Sequence, residues 1–292
     1  EGTALIGTFA GGVTIFGTML LPRAAFSDAT TVFINTIQSG AALSIESGRL
    51  HTCTEEGGDF SINPNSGEPV SYASDLPLEC GAGIESPVDR AWRVVEAASA
   101  AYAACPGQAF SLELAGGSGC ATSDPNFVVL NDLLGEPNAY GTAVAHVAHF
   151  DDLFNSNCAS SILSLDRDDL ASRGIEEVLF NVGGGAACEG LSVKSSLNWR
   201  NRDAPGYVDD LWERVTWNFF EACGTVDFGA TGHVGQVFCP MCDILTATPI
   251  KGGVFSRSAH PDGELHLPCA PVLGKTLCPV QQDRRRSLRG GL

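Results

Sequence analysis

Two stretches of this chain answer one another. Residues 86–105 read SPVDRAWRVVEAASAAYAAC, and residues 206–223 read GYVDDLWERVTWNFFEAC. Val88, Asp89, Trp92 and Val95 match Val208, Asp209, Trp212 and Val215 without a gap. Val88, Ala91, Trp92, Val95, Ser99 and Tyr102 recur at i, i+3/i+4 and i+7, the spacing of one buried helix face. Val208, Leu211, Trp212, Val215, Phe219 and Ala222 follow the same spacing in the second stretch. Ser86 suits an N-cap and Pro87 a first helical position, and Asp89 sits where the free N–H groups of a helix start favour a carboxylate.

Flanking segments repeat in the same order at a near-constant offset, which is the test of a true internal repeat. ALSIE at 42–46 answers ILSLD at 162–166, DFSIN at 59–63 answers EVLFN at 177–181, and Cys105 with Phe110 answers Cys223 with Phe228. Residues 13–22 and 128–137 match more loosely, both closing on Leu-Leu and a proline. The small slips in offset fall in Gly, Ser and Asn stretches, where insertions are tolerated best. The expected organisation is a tandem duplication: a first repeat over 1–122, a second over 123–243, and an extended C-terminal arm over 244–292.

Short strands are predicted at 13–20, 30–37, 42–47, 60–63, 70–73 and 108–115, and again at 127–133, 142–148, 161–165, 178–182, 191–195 and 234–238. Strands first and one long helix late in each half point to an α+β fold, with the helix over one face of a mainly antiparallel sheet. Alternating βαβ units are absent, which excludes a Rossmann-type reading. Pro249, Pro261, Pro268, Pro271 and Pro279 suit the extended arm.

Charge narrows the partners. With 17 basic against 34 acidic residues the net charge is −17, which excludes a nucleic-acid or anionic-membrane surface built on clustered cations. The one basic cluster is Arg284, Arg285, Arg286 and Arg289, a candidate strap for an acidic neighbour such as a second copy. Only 17% of residues are charged, fewer than the roughly 25% of an ordinary soluble domain, so burial of outer surface against other copies is expected. Residues 2–22 carry no charge and have spanning length, but nine of them are Gly or Thr, so a buried strand is expected there and no membrane span. Eleven cysteines without an N-x-S/T sequon read as reduced, mostly buried thiols, Cys105 and Cys223 foremost.

Candidate chemistry is sparse. Cys239 and Cys242 form a C-x-x-C, yet no second pair at zinc-finger spacing follows, so paired structural thiols are expected rather than a metal or redox site. His146 and His149 precede Asp151 and Asp152; on a helix the two imidazoles share a side, but on the strand expected here they face apart. Gly116-Gly117 and Gly183-Gly184-Gly185 lack the lysine of a phosphate loop and read as turns. No catalytic residue and no cofactor is assigned.

The plan of two related sheet-plus-helix regions, carried by VDRAW/VDDLW, ALSIE/ILSLD and DFSIN/EVLFN, resembles that of the pyrenoid shell proteins of diatoms and related algae. The resemblance implies a chloroplast stromal protein at the pyrenoid periphery. It would assemble with itself into a layer around a Rubisco condensate and support CO2 fixation by confinement, without catalysis. Two alternatives stand beside it: a metal-dependent hydrolase using His146, His149 and Asp151 or Asp152, and a secreted disulfide-containing binding module.

Overall fold

The computed structural model describes residues 3–9, 12–15, 31–37, 42–45, 49–55, 61–63, 71–72, 87–110, 127–150, 162–184, 188–193, 197–199, 210–229, 233–248, 250–261, 265–266 and 276–278. Every strand pair among them is parallel. The chain winds as a β-solenoid. Gln108–Phe110 is followed by Phe127–Val129, Thr142–Val147 by Ile162–Leu165, and Glu177–Val182 by Leu197–Trp199. The first members of these couples pair with one another in a main sheet, and the second members pair in another. Thr3–Phe9, Thr31–Ile37 and Arg49–Glu55 alternate in the same way with Gly12–Ile15, Ala42–Ile45 and Ser61–Asn63.

The register explains why these residues stack. Ala145 pairs with Phe180, Phe180 with Trp217, and Trp217 with Val237, and all four are fully buried. Phe180 and Trp217 stack at 4.4 Å between ring centroids, and Phe110 meets Phe180 edge-on at 5.7 Å. Burying each such large side chain contributes about 1.5–3 kcal/mol. The alternate residues Val144, Leu179 and Phe238 face the other way, into a second cluster with Val95, Tyr102 and Cys105 of the helix side. Beside the helix the main-sheet strands are therefore covered on both faces, as parallel strands usually are.

The helix, α1, spans Pro87–Ala103, as its spacing predicts, with Val95, Ser99 and Tyr102 buried and Trp92 packed at the edge of the cluster. Ser86 lies outside the described residues. Where the winding turns back on itself, Gly235 and Gly252 take positive φ, and a Cβ on Gly252 would run into the Gly235 carbonyl.

Four expectations are corrected here. The sheets are parallel, not antiparallel: each return crossover is a corner plus a strand of another sheet, a route that strand length and alternation do not reveal. The tandem α+β duplication is not the architecture, since one sheet runs from Gln108–Phe110 through Gln236–Thr246 to Val254–Pro261. The second helix is reduced to the single turn Leu211–Arg214, after which Val215–Asn218 is a strand in that sheet. Thr216 and Trp217 favour an extended backbone, and the Trp217 position in the core outweighs the helical spacing. The C-terminal arm is not free over its first part, because Val254–Pro261 pairs along Gln236–Thr246 and lies beside Thr3–Phe9. In the uncharged N-terminal stretch the chain forms the strands Thr3–Phe9 and Gly12–Ile15. No helix among the described residues is long and apolar enough to cross a membrane.

Candidate functional site

The sequence candidates separate in space. His146 lies on Thr142–Val147 and its Nε2 sits 2.8 Å from the Cys105 carbonyl oxygen, a bond that needs the proton on Nε2. His149 is exposed in the bend that follows the strand, and Asp151 and Asp152 lie outside the described residues. Among the described residues no three His, Cys, Asp or Glu side chains converge as metal ligands. Arg284, Arg285, Arg286 and Arg289 also lie outside them.

His146 instead begins a polar ladder that sequence inspection missed. It pairs in register with Asn181, and Asn181 pairs with Asn218. Asn181 donates to the Tyr102 carbonyl at 2.6 Å, and Asn218 donates to the Ser99 carbonyl at 2.9 Å and to Asn181 Oδ1 at 2.9 Å. Ser99 returns its hydroxyl to Asn218 Oδ1 at 2.6 Å. Three successive strands thus hold carbonyls of residues 99, 102 and 105, spaced three apart along the end of α1. Because both asparagines are fully buried, each of these bonds satisfies a group that water cannot reach. Burial, with the Glu177 carboxylate nearby, pushes the Tyr102 hydroxyl up to about 12, so it stays protonated in this seam. The available signal was the pair of asparagines ending EVLFN and VTWN, each directly after a buried core aromatic, Phe180 and Trp217.

Away from α1 the sheet carries an open outer face. Along Gln236–Thr246, Cys242, Ile244 and Thr246 point inward and are buried, while Met241 and Leu245 are exposed. Ser192, Asp227 and Leu245 are successive register partners on this face, and Thr225 is the partner of Asp243. Arg257 lies over Asp243 with a two-point clasp, Nε to Oδ1 at 3.0 Å and Nη2 to Oδ2 at 2.6 Å. The result is a sheet surface of mixed apolar and polar residues.

Six cysteines among the described residues are paired. Cys105 joins Cys278, Cys188 joins Cys223, and Cys239 joins Cys242. The expectation of free buried thiols is therefore corrected for Cys105 and Cys223, whose partners sit 173 and 35 residues away in sequence. Cys239 and Cys242 close a bulge where the register with Val254–Pro261 shifts, and Pro240, which has no N–H to give the ladder, is buried within it.

A family model described as "Putative Ice-binding-like adhesive domain" matches residues 7–267. No curated protein and no solved structure matches the chain.

Proposed function

Since a chain matched over residues 7–267 belongs to the ice-binding-like adhesive domain family, we propose that it is a non-catalytic adhesive module that lays a regular face on an ordered, repeating surface of which ice is the model. The match is compatible with the coarser statement, a structural or adhesive role. The observation that carries the finer one is the register of the stack. Thr8, Thr36 and Thr54 are successive partners, Thr3 pairs with Thr31, and Thr14, Ser44 and Asn63 form another line of partners. Like residues therefore recur at one-strand intervals, roughly 4.7–4.9 Å. A rigid array loses little conformational freedom on meeting a rigid lattice, so many weak contacts can sum.

The three disulfides favour an oxidising location outside the reducing interior, the secreted alternative, over the chloroplast stroma. Self-association into a layer is the second reading, favoured by the low charged fraction of 17%. The pyrenoid setting and the Rubisco cargo lose the doubled sheet-plus-helix plan on which that resemblance stood.

The test is to grow ice slowly through a solution of the labelled chain, with insoluble polysaccharide particles and size-exclusion chromatography as parallel arms. Incorporation into ice at higher concentration than an inert control protein is the expected result. Exclusion from ice with retention on polysaccharide rejects an ice-type lattice. Exclusion from both overturns the adhesive reading, and elution as very large particles then supports the layer.

A further inference from the structure

We propose that the Cys105–Cys278 disulfide is a redox latch: oxidised, it holds residues 276–278 as a strap across the seam between α1 and the main sheet, and reduction releases the strap while the solenoid stays folded. The strap fills a specific place. Leu277 is 3% exposed and completes the cluster of Val95, Tyr102, Val144, Leu179 and Phe238, which is separate from the core around Phe180 and Trp217. Its other described anchor is one hydrogen bond, from Asn138 Nδ2 to the Leu277 carbonyl at 2.7 Å. Asn138 is itself fixed by its own turn, accepting from the Tyr140 and Thr142 amides through Oδ1. Among the described residues the contact is tied by one neutral hydrogen bond and the burial of Leu277, and its covalent link adds the strongest tie.

Of the three disulfides among the described residues this one joins distant parts of the chain. It spans 173 residues, against 35 and 3 for the others, so the other two leave the strap untouched. Opening it unroofs Tyr102, Val144 and Leu179 and loosens the end of α1, while the strands that carry His146, Asn181 and Asn218 keep their pairing. The chemistry is thiol–disulfide exchange with a dithiol reductant. One reductant thiolate attacks a sulfur and displaces the other cysteine as thiolate; the second reductant thiol then resolves the mixed disulfide. Cys105 and Cys278 end as thiols and the reductant as its own disulfide.

Hydrogen exchange of the whole chain, read by mass spectrometry, tests this in the oxidised protein, in Cys278→Ser, and in Cys188→Ser/Cys223→Ser. In Cys278→Ser, amides of 98–105 and 276–278 are expected to exchange faster by on the order of tenfold, with 177–182 and 215–218 unchanged. The double variant keeps the seam protected. Equal protection of the seam in Cys278→Ser and the oxidised protein overturns the latch, and so does opening of the main-sheet strands together with it. If Cys278→Ser does not fold, the wild-type chain titrated with dithiothreitol and alkylated decides the matter. Modification of Cys105 and Cys278 before loss of protection at 177–182 supports the latch, and modification only with that loss overturns it.

Discussion

His233 is the side chain whose chemistry fits its surroundings least. It is 1% exposed, lies against the rings of Phe228 at 4.5 Å and Trp217 at 5.1 Å, and has a hydrogen-bond partner on neither nitrogen among the described residues. Burial disfavours the imidazolium and lowers its pKa from 6.5 to about 3. The folded chain therefore keeps His233 neutral through a range in which the unfolded chain binds a proton. Stability is complete above about pH 6.5 and falls as pH drops toward 3, by at most about 1.4 kcal/mol per pH unit from this group. Thermal unfolding at pH 7 and pH 4 should show a smaller drop for His233→Phe than for the unaltered chain; equal drops would assign the acid sensitivity to other groups. Nothing in the local sequence singles this histidine out, because His233 stands between glycines and reads as a turn. Its burial follows from the winding, which lays it against Trp217 of another strand and Phe228, just past the end of a third.

Among the elements, α1 was legible and its counterpart was not, for a reason that the seam makes plain. Both stretches carry apolar residues at helical spacing, but SAAYAA favours helix, whereas VTWNFF is β-branched and aromatic and goes into the sheet. Most strand positions were also legible from their apolar runs. Their partners and direction were not, since parallel pairing is settled by what lies on the far side of each crossover. The polar ladder belongs to this level, because it joins a helix to three strands. Asn218→Ala leaves the Ser99 hydroxyl and carbonyl and Asn181 Oδ1 without their contacts. A loss of about 1–3 kcal/mol is expected in denaturant titration. The α1 amides should exchange faster than those of Ile162–Leu165, and an unchanged midpoint would mean that the ladder is not what fastens the helix.

For the molecule as a whole, the apparent duplication has a physical origin in the winding. Every coil meets the same demand, a short strand with apolar residues facing in and a polar or glycine corner, so similar strings recur without marking copied domains. ALSI and ILSL both become strands of the sheets that follow the first corner. SIN of the DFSIN stretch does the same, while EVLFN becomes a main-sheet strand, and VDRAW lies in a long helix where the match in VDDLW reaches only a single turn. His146 bonds the Cys105 carbonyl and Cys239–Cys242 closes a bulge, contacts that depend on neighbours distant in sequence. The adhesive reading stands on one continuous parallel stack crossing both former boundaries, and this is directly measurable. Long-range proton contacts in solution NMR should link Phe110 to Val147, Ala145 to Phe180, Phe180 to Trp217, Trp217 to Val237 and Phe238 to Phe255 as one parallel ladder. Antiparallel pairings, or two separate ladders divided near residues 122 and 243, would contradict it.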